Sequence, residues 1–466
     1  MKQNEENYQA LELLVNQITK DDLILLTLLF SKDNKKLSYN ILYILVNISY
    51  ANNKEKTFSL DEDICCYIAS FLGNNKDDST FLKYGILLIR NISFDKNVCE
   101  IFNKYKIIHF FGEIYEKNLL NNKFMEHIMI IIGNIINYEI EKNDKYKDIS
   151  YLLPCIKIIS TQLRPNYPAS LLNKYIYHLY NLISFGNSDI FYEIINCKIH
   201  RDLMNLYSLI SEKLNSLKQD LNPDSKIFIL KTPEQISKDY KDIEFYKNIH
   251  LLILKILGGL MSTDDGILTQ TLLNANISLF LKNLLKSDDI RVIKNVCFCI
   301  SNICAGTCGQ ISYLLKDNTF YELILVSKNI FEAFELREIK DDYYRLLQDT
   351  LREIIYAFSL AISNSIFEKI MTSLKSCDFI IIKILVKGLI IFQEKKYEDI
   401  LEIIFEVIRK IYLFDNNKSN FIDIMEKYGL KENLENLIQN GSKSARIISD
   451  ALYNSIFKFD KMDDRI

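Results

Sequence analysis

The chain contains no tryptophan, and only 13 glycines and 5 prolines among 466 residues. Average usage would supply roughly 55 of these two turn formers. β-Sandwiches, barrels and glycine-rich nucleotide-binding folds need more of them; long helices joined by short polar connections do not. An excess of one charge is also missing. The 57 Lys and Arg against 60 Asp and Glu leave a net charge of −3, too little to drive non-specific nucleic-acid binding. Apolar runs such as Phe379–Phe392 are short and carry Lys383 and Lys387, so none reads as a membrane span. The opening MKQNEENYQALELL has neither the basic start nor the apolar stretch of a secretory leader. What is present is ordinary for a globular chain: 48% hydrophobic and 25% charged residues. The ten cysteines, among them the vicinal pair Cys65-Cys66, sit mostly in apolar helical runs. That pattern fits reduced thiols and predicts a location in cytoplasm and nucleus.

One phrase recurs along the chain, an apolar helix ending in Asn followed by Ile or Leu. It reads YILVNIS at Asn47, LLIRNIS at Asn91, IIIGNII at Asn134, HLYNLIS at Asn181 and CISNICAG at Asn302. The first four are separated by 44, 43 and 47 residues, the period of armadillo and HEAT repeats. Each phrase is followed by a polar turn, a short helix and a second apolar helix. The period is interrupted over residues 211–240, a polar stretch with Pro223 and Pro233, which reads as an insertion loop between repeats. The whole predicts an all-α, right-handed superhelical armadillo solenoid of about nine to ten repeats, a single body over residues 1–466.

Catalytic and metal constellations are weak. Cys297, Cys299, Cys304 and Cys308 lie close in sequence but lack paired Cys-x2-Cys knuckles, and helix geometry puts Cys297 and Cys299 on different faces. The five histidines stand alone. No phosphate loop, nucleophile elbow or H-E-x-x-H motif occurs. The sequence therefore predicts a non-enzyme with no cofactor and no metal.

The segment Leu251–Ile324 resembles the sixth to eighth armadillo repeats of the importin-α family. The matching pieces are Gly258-Gly259-Leu260-Met261-Ser262, Gln270–Leu285, Cys297–Gly306 and Gln310-Ile311. Residues 420–459 are similar to that family's last, capping repeat. Asp148–Ile159 and Asn91–Asn97 resemble its fourth and third repeats. The resemblance implies a nuclear-import adaptor whose concave groove holds an extended basic localisation peptide. In the family, Asn side chains clamp the peptide backbone, Trp walls one turn earlier hold Lys stems, and carboxylates neutralise them.

Carried onto this sequence, the resemblance implies a peptide site at Tyr43, Asn47, Asn91, Asp95, Asn134, Tyr177, Asn181, Lys255, Phe298, Asn302 and Tyr356, with Thr57 beside Asp95. The Asn positions survive, whereas Leu87 and Ile130 replace two aromatic walls. The family's basic importin-β-binding segment has no counterpart in the first 22 residues, which predicts no direct importin-β binding. The C-terminal match implies contact with an export receptor; no nucleic-acid or membrane partner is expected. An Asn ending an apolar helix is also a common cap or turn former. Two readings stay open: an adaptor for basic peptides, or an importin-α-derived scaffold that holds other protein partners.

Overall fold

The computed structural model describes residues 20–29, 34–52, 62–117, 122–142, 150–334, 340–364, 380–392, 398–414 and 418–458. Thr57 lies outside them. Among the described residues every regular element is helical. The chain divides into two compact units, Met1–Leu252 and Ile253–Ile466.

The first unit contains α1 (Lys20–Leu28), α2 (Lys35–Asn52), α3 (Glu62–Asn74), α4 (Ser79–Ile92), α5 (Lys96–Lys104), α6 (Ile107–Glu116), α7 (Asn122–Lys142), α8 (Leu153–Ser160), α9 (Ala169–Ser184), α10 (Ser188–Asn196), α11 (Ile199–Asp220) and α12 (Lys226–Leu230). Helix α13 (Pro233–Met261) spans the boundary. The second unit continues with α14 (Gly266–Asn274), α15 (Ile277–Leu284), α16 (Ile290–Cys304), α17 (Cys308–Lys316), α18 (Thr319–Phe334), α19 (Asp341–Asn364), α20 (Ile380–Ile391), α21 (Glu398–Phe414), α22 (Lys418–Lys427), α23 (Leu430–Asn440) and α24 (Lys443–Tyr453). The expected capping repeat over residues 420–459 falls on α22, α23 and α24.

The helices repeat as short, middle and long. In the first unit the long helices stack in order, α2 on α4, α4 on α7 and α7 on α9. In the second, α16 packs on α19, α19 on α21 and α21 on α24. The apolar stripe of each helix closes the core between layers: Leu88, Ile89, Ile131, Ile132 and Ile135 are fully or almost fully buried, as periodic apolar residues at helical spacing require. We call the long helices ladder helices, because each carries the recurrent Asn or its positional equivalent.

Two local devices explain how so few glycines suffice. Short helices start on polar caps: Asp95, Asn187, Asp265 and Thr307 each accept a backbone N–H of α5, α10, α14 and α17. The turn from short to middle helix then uses one left-handed residue. These are Lys106, Lys198, Asn276, Asn318 and Gly429, with φ of 53, 58, 64, 56 and 81°. Only one is glycine, although Gly is the residue that adopts this conformation without steric cost.

The stretch 211–240, expected as an insertion loop, is instead mostly helix. α11 runs on to Asp220, α12 covers Lys226–Leu230, and α13 begins at Pro233. Pro233 occupies the first helical position, where its missing N–H costs nothing. The Gln235 N–H donates to Thr232 Oγ1 at 3.3 Å and the Thr232 N–H to Gln235 Oε1 at 2.9 Å, a capping box. Lys231 pairs with Asp239 at 2.9 Å and Asp220 at 3.5 Å, joining the end of α11 to the start of α13. Leu214, Leu221, Ile243 and Tyr246 are buried inside the hairpin. The polar composition that suggested a loop is the exposed side of these two long helices.

Candidate functional site

The recurrent Asn residues occupy equivalent places near the ends of the ladder helices, and each described hydrogen bond they make points back one repeat. Asn91 on α4 donates through Nδ2 to Ser49 Oγ at 3.1 Å and to the Val46 carbonyl at 3.4 Å, both on α2. Asn134 on α7 donates to Ser93 Oγ at 2.9 Å, just past α4. Asn181 on α9 donates to Asn137 Oδ1 at 3.0 Å. In the second unit Asn302 donates to the Gly258 carbonyl at 3.0 Å, and Asn364 to the Cys304 carbonyl at 3.2 Å. The N-I-S phrase thus has a physical meaning. The Ser two residues after one Asn accepts the amide of the next Asn, 41 or 42 residues later.

These bonds separate the predicted clamp into two groups. Asn91 and Asn181 are only 6% and 4% exposed, so their amides act between repeats. Asn47, Asn134 and Asn302 are half-buried and present surface. Asp95 carries a structural duty as the α5 cap, accepting from the Asn97 amide at 2.8 Å.

Residues four and seven positions before a ladder Asn lie within about 40° of it around the helix. On the first-unit ladder they are Tyr43 and Asn40, Leu87 and Tyr84, Ile130 and His127, Tyr177 and Lys174. Tyr43 and Tyr177 are 48% and 44% exposed. The Tyr84 ring meets Tyr43 edge-on at 5.6 Å and Tyr39 at 5.2 Å. Tyr84 therefore supplies the aromatic neighbour that Leu87 does not, one turn earlier than the resemblance placed it. The i−7 spacing was the sequence signal for it. His127 neighbours Arg90; burial first, and that cation second, hold its imidazole below the ordinary range. Arg90 Nε and His127 Nδ1 are enclosed without a hydrogen-bond partner.

None of those eight positions carries a carboxylate. Elsewhere in the unit some lysines are matched: Lys76 with Glu113 at 3.0 Å, Lys142 with Glu100 at 2.9 Å, and Lys104 with Glu62. Beside the ladder line, eight positions before Asn91, Lys83 lies over the Tyr84 ring at 5.2 Å. Among the described residues no carboxylate pairs with Lys36, Lys83, Arg90 or Lys174.

The second-unit ladder is different. Phe298 on α16 packs its ring over Gly258, where a Cβ would come within 2.7 Å of it. On α19, Glu353 accepts from Ser301 Oγ at 3.2 Å and Tyr356 donates through Oη to Asp399 at 3.0 Å. Burial raises the Glu353 carboxyl, against the pull of Ser301, Arg352 and Lys294. Burial, then Asp399, pushes the Tyr356 phenol up to about 12. Asp349 pairs with Lys294 at 2.6 Å, and Asp399, Glu402 and Glu406 stand exposed on α21. Lys255 is exposed on α13. The structure therefore brings Phe298, Asn302 and Tyr356 onto one carboxylate-flanked ladder, while Tyr43, Asn47, Asn134 and Tyr177 lie on a carboxylate-poor one. Cys297, Cys299 and Cys304 are buried, and burial raises each thiol, which makes them packing residues.

No family model matches the chain, and no curated protein does. Solved structures do. One is described as "A conserved phosphorylation switch controls the interaction between cadherin and beta-catenin in vitro and in vivo", with a TM-score of 0.60, 11% identity, and coverage of 96% of this chain and 82% of that one. An engineered protein gives a TM-score of 0.51, 12% identity, and coverage of 94% and 99%. A designed armadillo repeat protein in complex with the peptide (KR)4 gives 0.43, 15%, 64% and 98%. At these identities the likeness concerns fold alone. The recurring short, middle and long helices, with ladder helices stacked in order, define an all-α armadillo-repeat protein.

Proposed function

We propose that this chain is a protein-binding armadillo scaffold that holds extended segments of partner proteins along its ladder faces. In its finer form the reading is an importin-α-like adaptor: the second unit takes a basic, localisation-type segment, and the protein works in transport between cytoplasm and nucleus, with an export receptor as a further partner. The observation that carries it is the grouping around Asn302. The half-buried Asn302 amide stands one turn after Phe298 on α16, and on the packed neighbour α19 Glu353 accepts from Ser301 and Tyr356 donates to Asp399. An amide offers paired donor and acceptor to a peptide backbone. Aromatic walls hold Lys or Arg stems, and the carboxylates supply countercharge.

A second reading, a scaffold with fixed partners and no peptide exchange, is favoured by the burial of Asn91 and Asn181 in repeat-to-repeat bonds. Titration of a fluorescein-labelled Lys/Arg-rich peptide against the full chain and the Glu353→Lys/Asp399→Lys variant separates the two. The adaptor reading expects saturable binding that the variant loses. Absence of saturable binding by the wild type leaves the fixed scaffold.

A further inference from the structure

The two units carry ladders of opposite electrostatic character, and the first does not suit the basic segment that suits the second. Two exposed lysines on it have no carboxylate partner among the described residues. Lys76, Lys104 and Lys142 each have a glutamate; Lys36 and Lys174 on the ladder face have none among the described residues. Arg90, about 100° off the ladder line, holds a guanidinium whose Nε is enclosed without an acceptor. Of the carboxylates around it, Asp95 caps α5, and Glu126, like Lys83, lies eight positions before a ladder Asn, about 80° off the ladder line. Between the cations the face is aromatic and aliphatic.

We propose that the first-unit ladder receives an extended acidic peptide segment, one whose carboxylate or phosphate side chains alternate with apolar ones. The apolar side chains rest against Tyr43, Tyr84 and Ile130, and the anionic ones meet Lys36 and Lys174. The half-buried amides of Asn47 and Asn134 remain for the peptide backbone. A peptide fits better than a nucleic acid. Half-buried aliphatic side chains and backbone-pairing amides suit a peptide with apolar side chains and offer a polynucleotide little. The inference rests on the reading that ladder faces hold extended segments, but concerns a different face and the opposite charge.

The test is fluorescence anisotropy on the full chain with a labelled twelve-residue peptide alternating Glu with Leu and Phe. The proteins are wild type and Lys36→Glu/Lys174→Glu, with circular dichroism confirming that each is folded. Lys36 and Lys174 are exposed, and the milder Lys174→Gln serves if the double reversal misfolds. The wild type binds saturably. The lysine reversal weakens binding at least about fivefold, and Lys174→Gln weakens it less. No saturable binding, or equal affinity in the wild type and the lysine reversal, overturns the proposal. So does tighter binding of a single-stranded oligonucleotide of equal charge through the same lysines, which reassigns the face to nucleic acid. The Lys/Arg-rich peptide, titrated in parallel, reports on the second unit separately. If it fails while the acidic peptide binds, the basic-segment reading falls and this one stands.

Discussion

Asn302 donates through Nδ2 to the carbonyl of Gly258, 3.0 Å away on the preceding ladder helix. The Phe298 ring covers the same glycine, so one residue without a side chain accepts both an amide and an aromatic from the next repeat. The ladder is therefore a device for joining repeats.

Removing that amide has a cost in the absence of any ligand. Asn302→Ala leaves the Gly258 carbonyl without this donor and is expected to lower stability by about 1–2 kcal/mol. Asn302→Asp, which puts a carboxylate against a carbonyl, is expected to cost more than Asn302→Ala at neutral pH. Urea unfolding followed by circular dichroism measures both. If both variants unfold at the wild-type midpoint, the bond contributes nothing to the stack.

Gly258→Ala tests the close approach. A Cβ there would meet Phe298 Cε1 at 2.7 Å and Cδ1 at 2.8 Å, so the ring must move. The higher helix propensity of Ala, about 1 kcal/mol, works in the opposite direction. Overpacking is expected to win, with a net loss of about 1–2 kcal/mol. Phe298→Leu in the Gly258→Ala background should restore part of it. A thermal midpoint unchanged by Gly258→Ala would show that the ring does not depend on that space.

The left-handed lysines predict the reverse sign. Lys106 and Lys198, at φ of 53 and 58°, hold a conformation that costs a side-chain-bearing residue about 1–2 kcal/mol. Glycine removes that strain but gains freedom in the unfolded chain. Lys198→Gly is therefore expected to stabilise by about 0.5–1 kcal/mol, and Lys198→Val to destabilise. Differential scanning calorimetry decides; a lower midpoint for Lys198→Gly contradicts the strain argument.

Burial, with Lys174 as a second cause, holds the His178 imidazole down at about 4, and the ring packs against Gly133. The unfolded chain takes up that proton near 6.5 and the folded chain only near 4. Stability from this group is therefore constant above about pH 6.5, falls as pH drops toward 4, and levels off below. The full loss is about 3 kcal/mol. His127 and His200 are lowered by burial in the same sense. Urea midpoints at pH 7 and pH 4.5 should differ less in His178→Leu than in the wild type; an equal difference would remove His178 as a cause.

The fold was legible because its two signals are physical necessities. Long helices need few glycines and prolines, and stacking repeats must repeat their apolar phrase at one period. The Asn ladder was legible for the same reason, and the N-I-S phrase contained its hydrogen-bond partner. Residues 211–240 were misjudged because polarity was weighed above the Thr232–Gln235 capping box and the permissive place of Pro233. The buried state of Asn91 and Asn181 could not be read locally, since it depends on Ser49 and Asn137 more than forty residues away. Tyr84 and Glu353 were missed by searching one turn before the ladder position and not two.

The most direct measurement is hydrogen–deuterium exchange of the full chain with and without a saturating Lys/Arg-rich peptide. The account predicts slowed exchange in α16 and α19, around Asn302 and Tyr356, with little change in the middle helices α15 and α18. Protection confined to α15 and α18, or no protection anywhere, would contradict the claim that the second-unit ladder holds an extended basic segment.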